Sequence, residues 1–227
     1  YSVVVLQGIL QIILQVIIPL MGAPICILFR NHFLSWFLST IIAWVSLLIS
    51  LLIFNLVLSD GILVYELGGW AAPWGIEYKV DILNAFMLII ITSIASVVML
   101  YARLSVKKEI SEERCYLFYA MMLLFLAGLL GITVTGDAFN LFVFLEISSL
   151  SSYVLISMGP DPRSLTAAYR YLIMGTLGAT FYIIGVGLMY MMTGTLNLSD
   201  LATIIPKIAG SRTIHTALAF LTVGLCL

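Results

Sequence analysis

Long runs of apolar residues, separated by short polar connections, fill the sequence from end to end. A bilayer core of about 30 Å is crossed by roughly 20 helical residues at about 1.5 Å each, so runs of this length predict membrane-spanning helices. We predict six full spans and part of a seventh, at residues 3–29, 33–58, 82–104, 115–134, 138–158, 165–193 and 213–227. The expected fold class is all-α, a polytopic transmembrane helix bundle, with residues 1–227 forming one transmembrane domain. A first residue other than Met, Tyr1, and an apolar end at Leu227 favour a piece of a longer protein.

The composition excludes a water-soluble protein. Of the 227 residues, 63% are hydrophobic and 9% are charged, against about 25% charged residues in a typical soluble domain. The net charge of −1 and the lack of a basic run exclude nucleic acid as a partner and favour the lipid bilayer. The three cysteines are isolated, without a CxxC pair, and the two histidines fall at the ends of predicted spans, which favours neither a metal site nor haem. We therefore expect no cofactor and no bound metal.

The connections between spans differ in their content of Lys and Arg, which are kept on the cytoplasmic side of short loops. With the N-terminus outside the cytoplasm, the inner set is Arg30, Arg103, Lys107, Lys108, Arg114, Arg163 and Arg170, and the outer set is Lys79, Lys207 and Arg212. Because the inner set is the larger, we predict an N-terminus outside the cytoplasm. The longest outer connection, residues 59–81, contains Gly, Pro and Trp and is expected to be an interfacial linker anchored by Trp70 and Trp74.

One ionisable residue, Glu146, falls in the middle of a predicted span. It lies about eight residues into the fifth span, or roughly 12 Å from the start of that span at helical rise. A lone carboxylate there is costly, and it escapes the cost by protonation or by pairing with a cation. A carboxyl poised between those two states can carry protons, and Ser149 and Tyr153 share its helix face as groups that could order water along a proton path. The alternative is that Glu146 stays protonated and forms a structural hydrogen bond to another helix.

Other polar residues near the spans have simpler interpretations. Asp137 precedes the fifth span, where a carboxylate can cap free helix N–H groups; a role at the outer mouth of an ion path is the alternative. Arg170 lies about one turn inside the sixth span and is expected to anchor that helix at the interface. Gly178, Tyr182 and Gly185 share one face of the sixth span, which favours close helix packing around a tyrosine whose hydroxyl needs a partner.

Several segments resemble a known family. The segment GDAFNLFVFLE (136–146), followed by SSYVL (151–155), resembles the fifth-helix signature of the complex I antiporter-like superfamily. Three further segments resemble the D subunits of Mrp-type monovalent cation/proton antiporters, namely GGWAAPWGIEYKVDILNAF (68–86), LTAAYRYLIMGTLGATFYIIGVGLMY (165–190) and TGTLNLSDLA (193–202). Together these segments extend the resemblance over nearly the whole chain.

The resemblance implies the first half of a subunit of about fourteen helices, built from two inverted half-bundles. It also implies that Glu146 pairs with a lysine on the seventh helix. No Lys or Arg of this sequence is predicted at the depth of Glu146, so that cation is expected from beyond Leu227 or from another subunit. Other membrane subunits are implied as partners, and the protein itself is expected to bind neither nicotinamide nor flavin.

The expected function is that of a membrane subunit of a multi-subunit antiporter, which exchanges protons for Na⁺ (or K⁺) across the cell (inner) membrane with Glu146 as the proton carrier. The alternative is a proton-translocating membrane subunit of NADH:quinone oxidoreductase or of a membrane-bound hydrogenase. In either case we expect a transporter subunit without a catalytic redox site of its own. A third hypothesis, a passive scaffold, predicts no functional demand on Glu146.

Overall fold

The computed structural model describes residues 3–111 and 114–227. Within these residues the α-helices are α1 (Val3–Phe29), α2 (His32–Asp60), α3 (Ile82–Glu109), α4 (Cys115–Val134), α5 (Ala138–Ser157), α6 (Pro162–Thr193), α7 (Leu198–Ile204) and α8 (Arg212–Cys226), and the strands are β1 (Leu63–Glu66) and β2 (Glu77–Val80). Helices α1 to α6 are long and apolar enough to cross a membrane, and α8 is a shorter apolar helix. The polytopic helix bundle with six full spans is thereby confirmed, and α8 lies where part of a seventh span was predicted.

Polar residues directly before the helices set where they begin. The Asn31 side chain accepts a hydrogen bond from Phe33 N at 3.0 Å at the start of α2, and Asp81 accepts one from Asn84 N at 2.9 Å at the start of α3. Asp161 caps α6 in the same way. These side-chain oxygens satisfy backbone N–H groups that have no partner within the helix, which explains why the helices begin where they do.

Helix α3 differs most from its predicted span, because it continues to Glu109 rather than ending at residue 104. The guanidinium of Arg103 lies 4.6 Å from the ring centre of Trp36 and 5.4 Å from that of Phe33. A long basic side chain can cover apolar surface with its stem and place its charge over aromatic faces. Arg103 therefore fits within the helix, as the predicted span had it, and α3 continues beyond residue 104 to Glu109.

The helices pack in two groups that meet at α4 and α5. Helices α1 to α4 surround two clusters of buried side chains, one containing Ile12 and Leu88 and the other containing Tyr119. In the second group, α6 contacts both α5 and α8. Helix α4 approaches α5 closely at Gly128, where a Cβ atom would lie 2.7 Å from the Cβ atom of Ser148.

The connection between α2 and α3 folds into a β-hairpin, which the sequence pattern did not predict. Strands β1 and β2 pair antiparallel, with Tyr65 opposite Tyr78. Val80 is fully buried, whereas Trp70 and Trp74 between the strands are 69% and 86% exposed. Four-residue strands are too short for their alternation to stand out from the surrounding Gly and Pro residues. The anchoring of Trp70 and Trp74 in the membrane interface stays a prediction.

Helix α7 is a second element that sequence analysis missed. It is a seven-residue helix between α6 and α8. The side chain of Asn197 caps it by accepting hydrogen bonds from Ser199 N at 2.8 Å and Asp200 N at 3.2 Å. The capping residue was visible in the sequence, but the helix is shorter than the windows in which helical periodicity is detected.

Three connections meet at one end of the bundle. Gly136 N, between α4 and α5, donates to Glu77 O of the hairpin at 2.8 Å. Asn197 Nδ2, between α6 and α7, donates to Glu77 Oε2 at 2.6 Å, and Lys79 Nζ donates to Ser199 Oγ at 2.9 Å. The three connections predicted to share one side of the membrane therefore lie together, and the side that they face stays a prediction.

Candidate functional site

Glu146 lies beside a cavity of about 200 Å³ between α5, α6 and α8. It is half-buried, about 12 Å along α5 from Ala138 at helical rise. Ser149 and Tyr153 line the same cavity, one and two turns farther along α5. The structure thus brings together the three residues that were predicted to form one stripe, and it places open space beside them. Gly224 lines the opposite wall, on α8.

Tyr153 forms part of the wall of this cavity. Its side chain is 8% exposed, and its ring meets that of Tyr171 edge to face, with ring centres 5.2 Å apart. Its hydroxyl packs against Gly175, where an added Cβ atom would overlap it. Glu146 and Ser149 line the same cavity. The phenol is therefore held by ring packing and a close helix contact, in the wall of the cavity that the carboxyl also lines.

Helices α6 and α8 approach each other closely along the face that contains Gly178, Tyr182 and Gly185. A Cβ atom on Gly178 would lie 2.9 Å from Gly224 O, so glycine is needed there for the helices to meet. The hydroxyl of Tyr182 donates to Ala138 O at 3.2 Å, which gives this buried group its partner. The predicted packing face is present, and Tyr182 and Gly178 also line the cavity.

Two lining residues, Tyr171 and Gly175, were missed by sequence analysis. Together with Gly178 and Tyr182 they follow one helix face at spacings of 4, 3 and 4 residues. Such spacing is the signal of a single helical face, but it was recognised only from Gly178 onward. Tyr171 directly follows Arg170, which was interpreted as an anchor at the membrane interface because of its charge, and Tyr171 was not considered as part of a site.

Asp137 occupies the N-cap of α5 and lies outside the cavity. Its Oδ1 accepts a hydrogen bond from Asn140 N at 2.7 Å, and its side chain is 6% exposed. Burial raises the pKa of Asp137, while the backbone N–H groups of Asn140 and Phe139 act to lower it. Asp137 and Glu146 are separated by about 13 Å along the helix at helical rise. The two carboxyls therefore form separate sites.

The cavity contains a carboxyl and hydroxyls but no cation from the described residues that line it. Arg163 and Arg170 line a neighbouring groove instead, and Tyr171 borders both the groove and the cavity. The Ser149 hydroxyl donates to Leu145 O at 2.5 Å, so its oxygen remains available as an acceptor. Arg170 is exposed, and its role as an anchor stays a prediction.

Comparison with known proteins finds a matching family, similar sequences and similar solved structures. Residues 135–227 match the family described as NADH:quinone oxidoreductase/Mrp antiporter, transmembrane. The N subunit of NADH-quinone oxidoreductase from Desulforudis audaxviator is 45% identical over 161 residues, which is 71% of this chain and 32% of that relative. The D subunit of a Na(+)/H(+) antiporter from Alkalihalophilus pseudofirmus is 36% identical over 214 residues, which is 93% of this chain and 43% of that relative. Among solved structures, a chain of the membrane-bound sulfane sulfur reductase, an archaeal respiratory membrane complex, is 29% identical with a TM-score of 0.84, over 94% of this chain and 44% of that one.

These likenesses and the helix bundle identify a multi-pass membrane protein of the antiporter-like type. The chain belongs to the complex I-like superfamily that includes the Mrp antiporter subunits, as the fifth-helix motif predicted. It spans 32% and 43% of the length of the two curated relatives named above. The matched family region, residues 135–227, contains Glu146 and every residue that lines the cavity.

Proposed function

We propose that the chain is part of a membrane subunit of a multi-subunit monovalent cation/proton antiporter, in which Glu146 carries the protons. The observation that carries this proposal is the cavity in which Glu146, Ser149 and Tyr153 meet. A carboxyl beside a space lined by hydroxyls can pass its proton to water held there, because hydroxyls both donate and accept hydrogen bonds. The likeness to the D subunit of a Na(+)/H(+) antiporter over 93% of the chain supports this class.

Coupling requires that the charge of Glu146 be compensated when its proton leaves. A lone carboxylate within the bilayer is costly, and a nearby cation removes much of that cost. The family resemblance implies a lysine on the seventh spanning helix, and α8, which lies where part of that helix was predicted, contributes Gly224 to the cavity wall. Movement of such a cation toward Glu146 would release the proton, and movement away would favour its return. Ser149 and Tyr153 then relay the proton toward the cytoplasmic end of α5.

The exchanged cation and the partners follow from the family resemblance, and the orientation follows from the distribution of Lys and Arg. The exchanged cation is Na⁺ (or K⁺), and the partners are other membrane subunits of the same complex in the cell membrane. The N-terminus lies outside the cytoplasm, which puts the hairpin and the N-terminal end of α5 on the outer side. Asp137 would then stand at the outer end of the helix that carries Glu146.

A second candidate is a proton-translocating membrane subunit of NADH:quinone oxidoreductase. It is favoured by the 45% identity to an N subunit of that class over 71% of this chain, which is a higher identity over a shorter stretch than that of the antiporter relative. The same carboxyl and cavity would serve, but the driving reaction would be redox chemistry in a partner protein.

The full-length protein in its native complex separates the two candidates. The complex is reconstituted in liposomes with a pH gradient, and the gradient is followed with a fluorescent dye after addition of NaCl, of choline chloride, or of NADH with a quinone. Collapse of the gradient by Na⁺ but not by choline supports the antiporter. Proton movement that needs NADH and quinone, without a response to Na⁺, would replace it by the second candidate.

The same assay tests the role of Glu146. The Glu146→Gln variant should assemble and show neither response. If that variant assembled and kept the wild-type rate, the passive scaffold would be the correct interpretation of this half of the protein.

A further inference from the structure

Helices α1, α2 and α3 bury a group of polar side chains that the proposed function does not use. Gln15, Ser46, Ser50 and Thr92 are each fully buried between these helices. They belong to the helix group that lies apart from the Glu146 cavity, and they are not among its lining residues. All four side chains are uncharged, so the group has hydrogen-bonding capacity without ionisation.

Part of this group is already connected by direct hydrogen bonds. Gln15 Nε2 donates to Ser50 Oγ at 2.7 Å, and Thr92 Oγ1 lies 3.2 Å from the same oxygen. Ser50 Oγ donates in turn to Ser46 O at 2.9 Å. The Ser50 hydroxyl is therefore fully used, and the cluster ties three helices together.

Three oxygens of the same region find no hydrogen-bond partner among the described residues. They are Oε1 of Gln15, Oγ of Ser46 and Oε1 of Gln11, which lies one turn before Gln15 on α1. Exchanging the O and N atoms of the Gln15 amide does not provide the missing partner. Whichever of the two atoms faces Ser50, the other remains buried without a hydrogen bond. Buried polar groups in folded proteins are almost always satisfied by protein or by ordered water.

We propose that this cluster is a binding site for ordered water, in which at least one molecule donates to Gln15 Oε1 and contacts the Ser46 hydroxyl. A buried water makes about three hydrogen bonds to groups that would otherwise lack partners, and Gln15 Oε1, Ser46 Oγ and Gln11 Oε1 are groups of that kind. Water suits the site better than Na⁺, because no carboxylate is among the cluster residues to balance a charge.

The bound water has a structural consequence for the protein. It extends the hydrogen bonding of Gln15 beyond Ser50 to a second group on α2, so that α1 is attached to α2 at two adjacent turns. Within a bilayer no external water can replace a lost hydrogen bond at this depth. The water therefore helps to hold the first three helices in register beside the helices that form the Glu146 cavity.

The test is a cryo-electron microscopy map of the full-length protein in its complex, at a resolution that shows ordered water, in Na⁺ and in choline. A peak about 2.7–3.2 Å from the Gln15 side-chain oxygen in both salts is the expected result. A map that resolves water elsewhere in the bundle but no peak here would overturn the proposal. A peak that is present in Na⁺ and lost in choline would replace water by an ion.

Two variants and a control add a readout that does not depend on resolution. Ser46→Ala should lower the Tm of the complex by about 2–4 °C, since it removes a hydrogen bond to the water, and Gln15→Leu should lower it further because it also removes the direct bond from Gln15 Nε2 to Ser50 Oγ. Ser39→Ala, at a fully buried serine that donates to Trp36 O in its own helix, should change the Tm less. If the site is dry, Ser46→Ala removes only an unpaired oxygen and should raise the Tm instead. Should Gln15→Leu fail to assemble, Ser46→Ala and the wild-type map still decide.

Discussion

The hydroxyl of Tyr153 lies so close to Gly175 that an added Cβ atom at position 175 would overlap it. This contact joins α5 to α6 at the wall of the Glu146 cavity. Position 175 must therefore be glycine for Tyr153 to occupy its place. The reason is the space that the hydroxyl fills, and not the flexibility of the backbone. The position of the phenol can therefore be changed without altering the phenol itself.

We expect Gly175→Ala to push the Tyr153 hydroxyl out of its place and to slow cation/proton exchange. Inserting a methyl group into a packed contact costs about 1–3 kcal/mol, so a fall of roughly tenfold in exchange rate is expected if that cost is met by displacing the phenol. The measurement is the initial rate of exchange by the full-length complex in liposomes, normalised to assembled protein.

The matched control for this substitution is Gly187→Ala, on the same helix. Gly187 is exposed, and an added Cβ atom there would meet nothing within 4 Å. Its variant should exchange at the wild-type rate. Equal rates for Gly175→Ala and wild type would show that the position of Tyr153 has no bearing on transport.

The two substitutions of Glu146 separate a proton carrier from a structural hydrogen bond. Glu146→Gln keeps the shape and the hydrogen-bonding capacity but has no proton to release, so exchange should fall to near background while assembly is kept. Glu146→Asp retains the acid on a shorter stem and should leave partial activity with a changed pH profile. The exchange rates of both variants are measured from about pH 6 to 9. An exchange rate of the Gln variant equal to that of the wild type would contradict the carrier role.

The membrane-spanning architecture was predictable because apolar length is a strong signal. Each of the six full spans was found within a few residues, and the largest difference is at the end of α3, which continues past residue 104 through Lys107 and Lys108 to Glu109. Glu146 could also be singled out from the sequence. A lone carboxyl in an apolar run is costly to place within a bilayer, so its presence there indicates a function. Its neighbours Ser149 and Tyr153 followed from helical spacing alone.

The elements that were missed depend on tertiary contacts instead. The hairpin strands and α7 are short, and they are held by bonds such as those from Asn197 and Gly136 to Glu77, which are distant in sequence. No local pattern encodes those partners. The contribution of α6 to the cavity was missed for a related reason, because Tyr171 and Gly175 gain their meaning only from α5 packing against them.

Asp137 should give the protein a pH-dependent stability of defined sign. Burial raises its pKa above the ordinary value, so the folded protein binds this proton more tightly than the unfolded chain does. Its contribution to stability is therefore fully present below the ordinary pKa and is lost as the pH rises through the folded pKa. Asp137→Asn keeps an oxygen that can accept from Asn140 N but cannot ionise. Its Tm should fall less than that of wild type as the pH rises above the ordinary pKa of an Asp side chain, about 4.

A second variant, Asp137→Ala, tests the helix cap at position 137 separately from the charge. Asp137→Ala removes both the charge and the cap, and loss of a cap costs about 1 kcal/mol, so this variant should be less stable than Asp137→Asn at every pH. Exchange by Asp137→Asn at the wild-type rate would leave the cap as the only role of this residue. A large loss of exchange in that stably folded variant would instead support a role at the outer mouth of the ion path.

The orientation of the bundle can be tested with one residue near the end of α2 and one at the end of α3. Ser59, near the end of α2, and Glu109, at the end of α3, are both exposed, and the prediction places them outside and inside the cytoplasm respectively. In a background where the native cysteines are replaced, Ser59→Cys should react with a membrane-impermeant maleimide added to intact cells, whereas Glu109→Cys should react only after the membrane is opened. The basic residues at the Glu109 side are the physical reason, since Lys and Arg are retained in the cytoplasm. The reverse pattern would invert the topology, put the N-terminal end of α5 inside, and reverse the direction in which Ser149 and Tyr153 relay protons from Glu146.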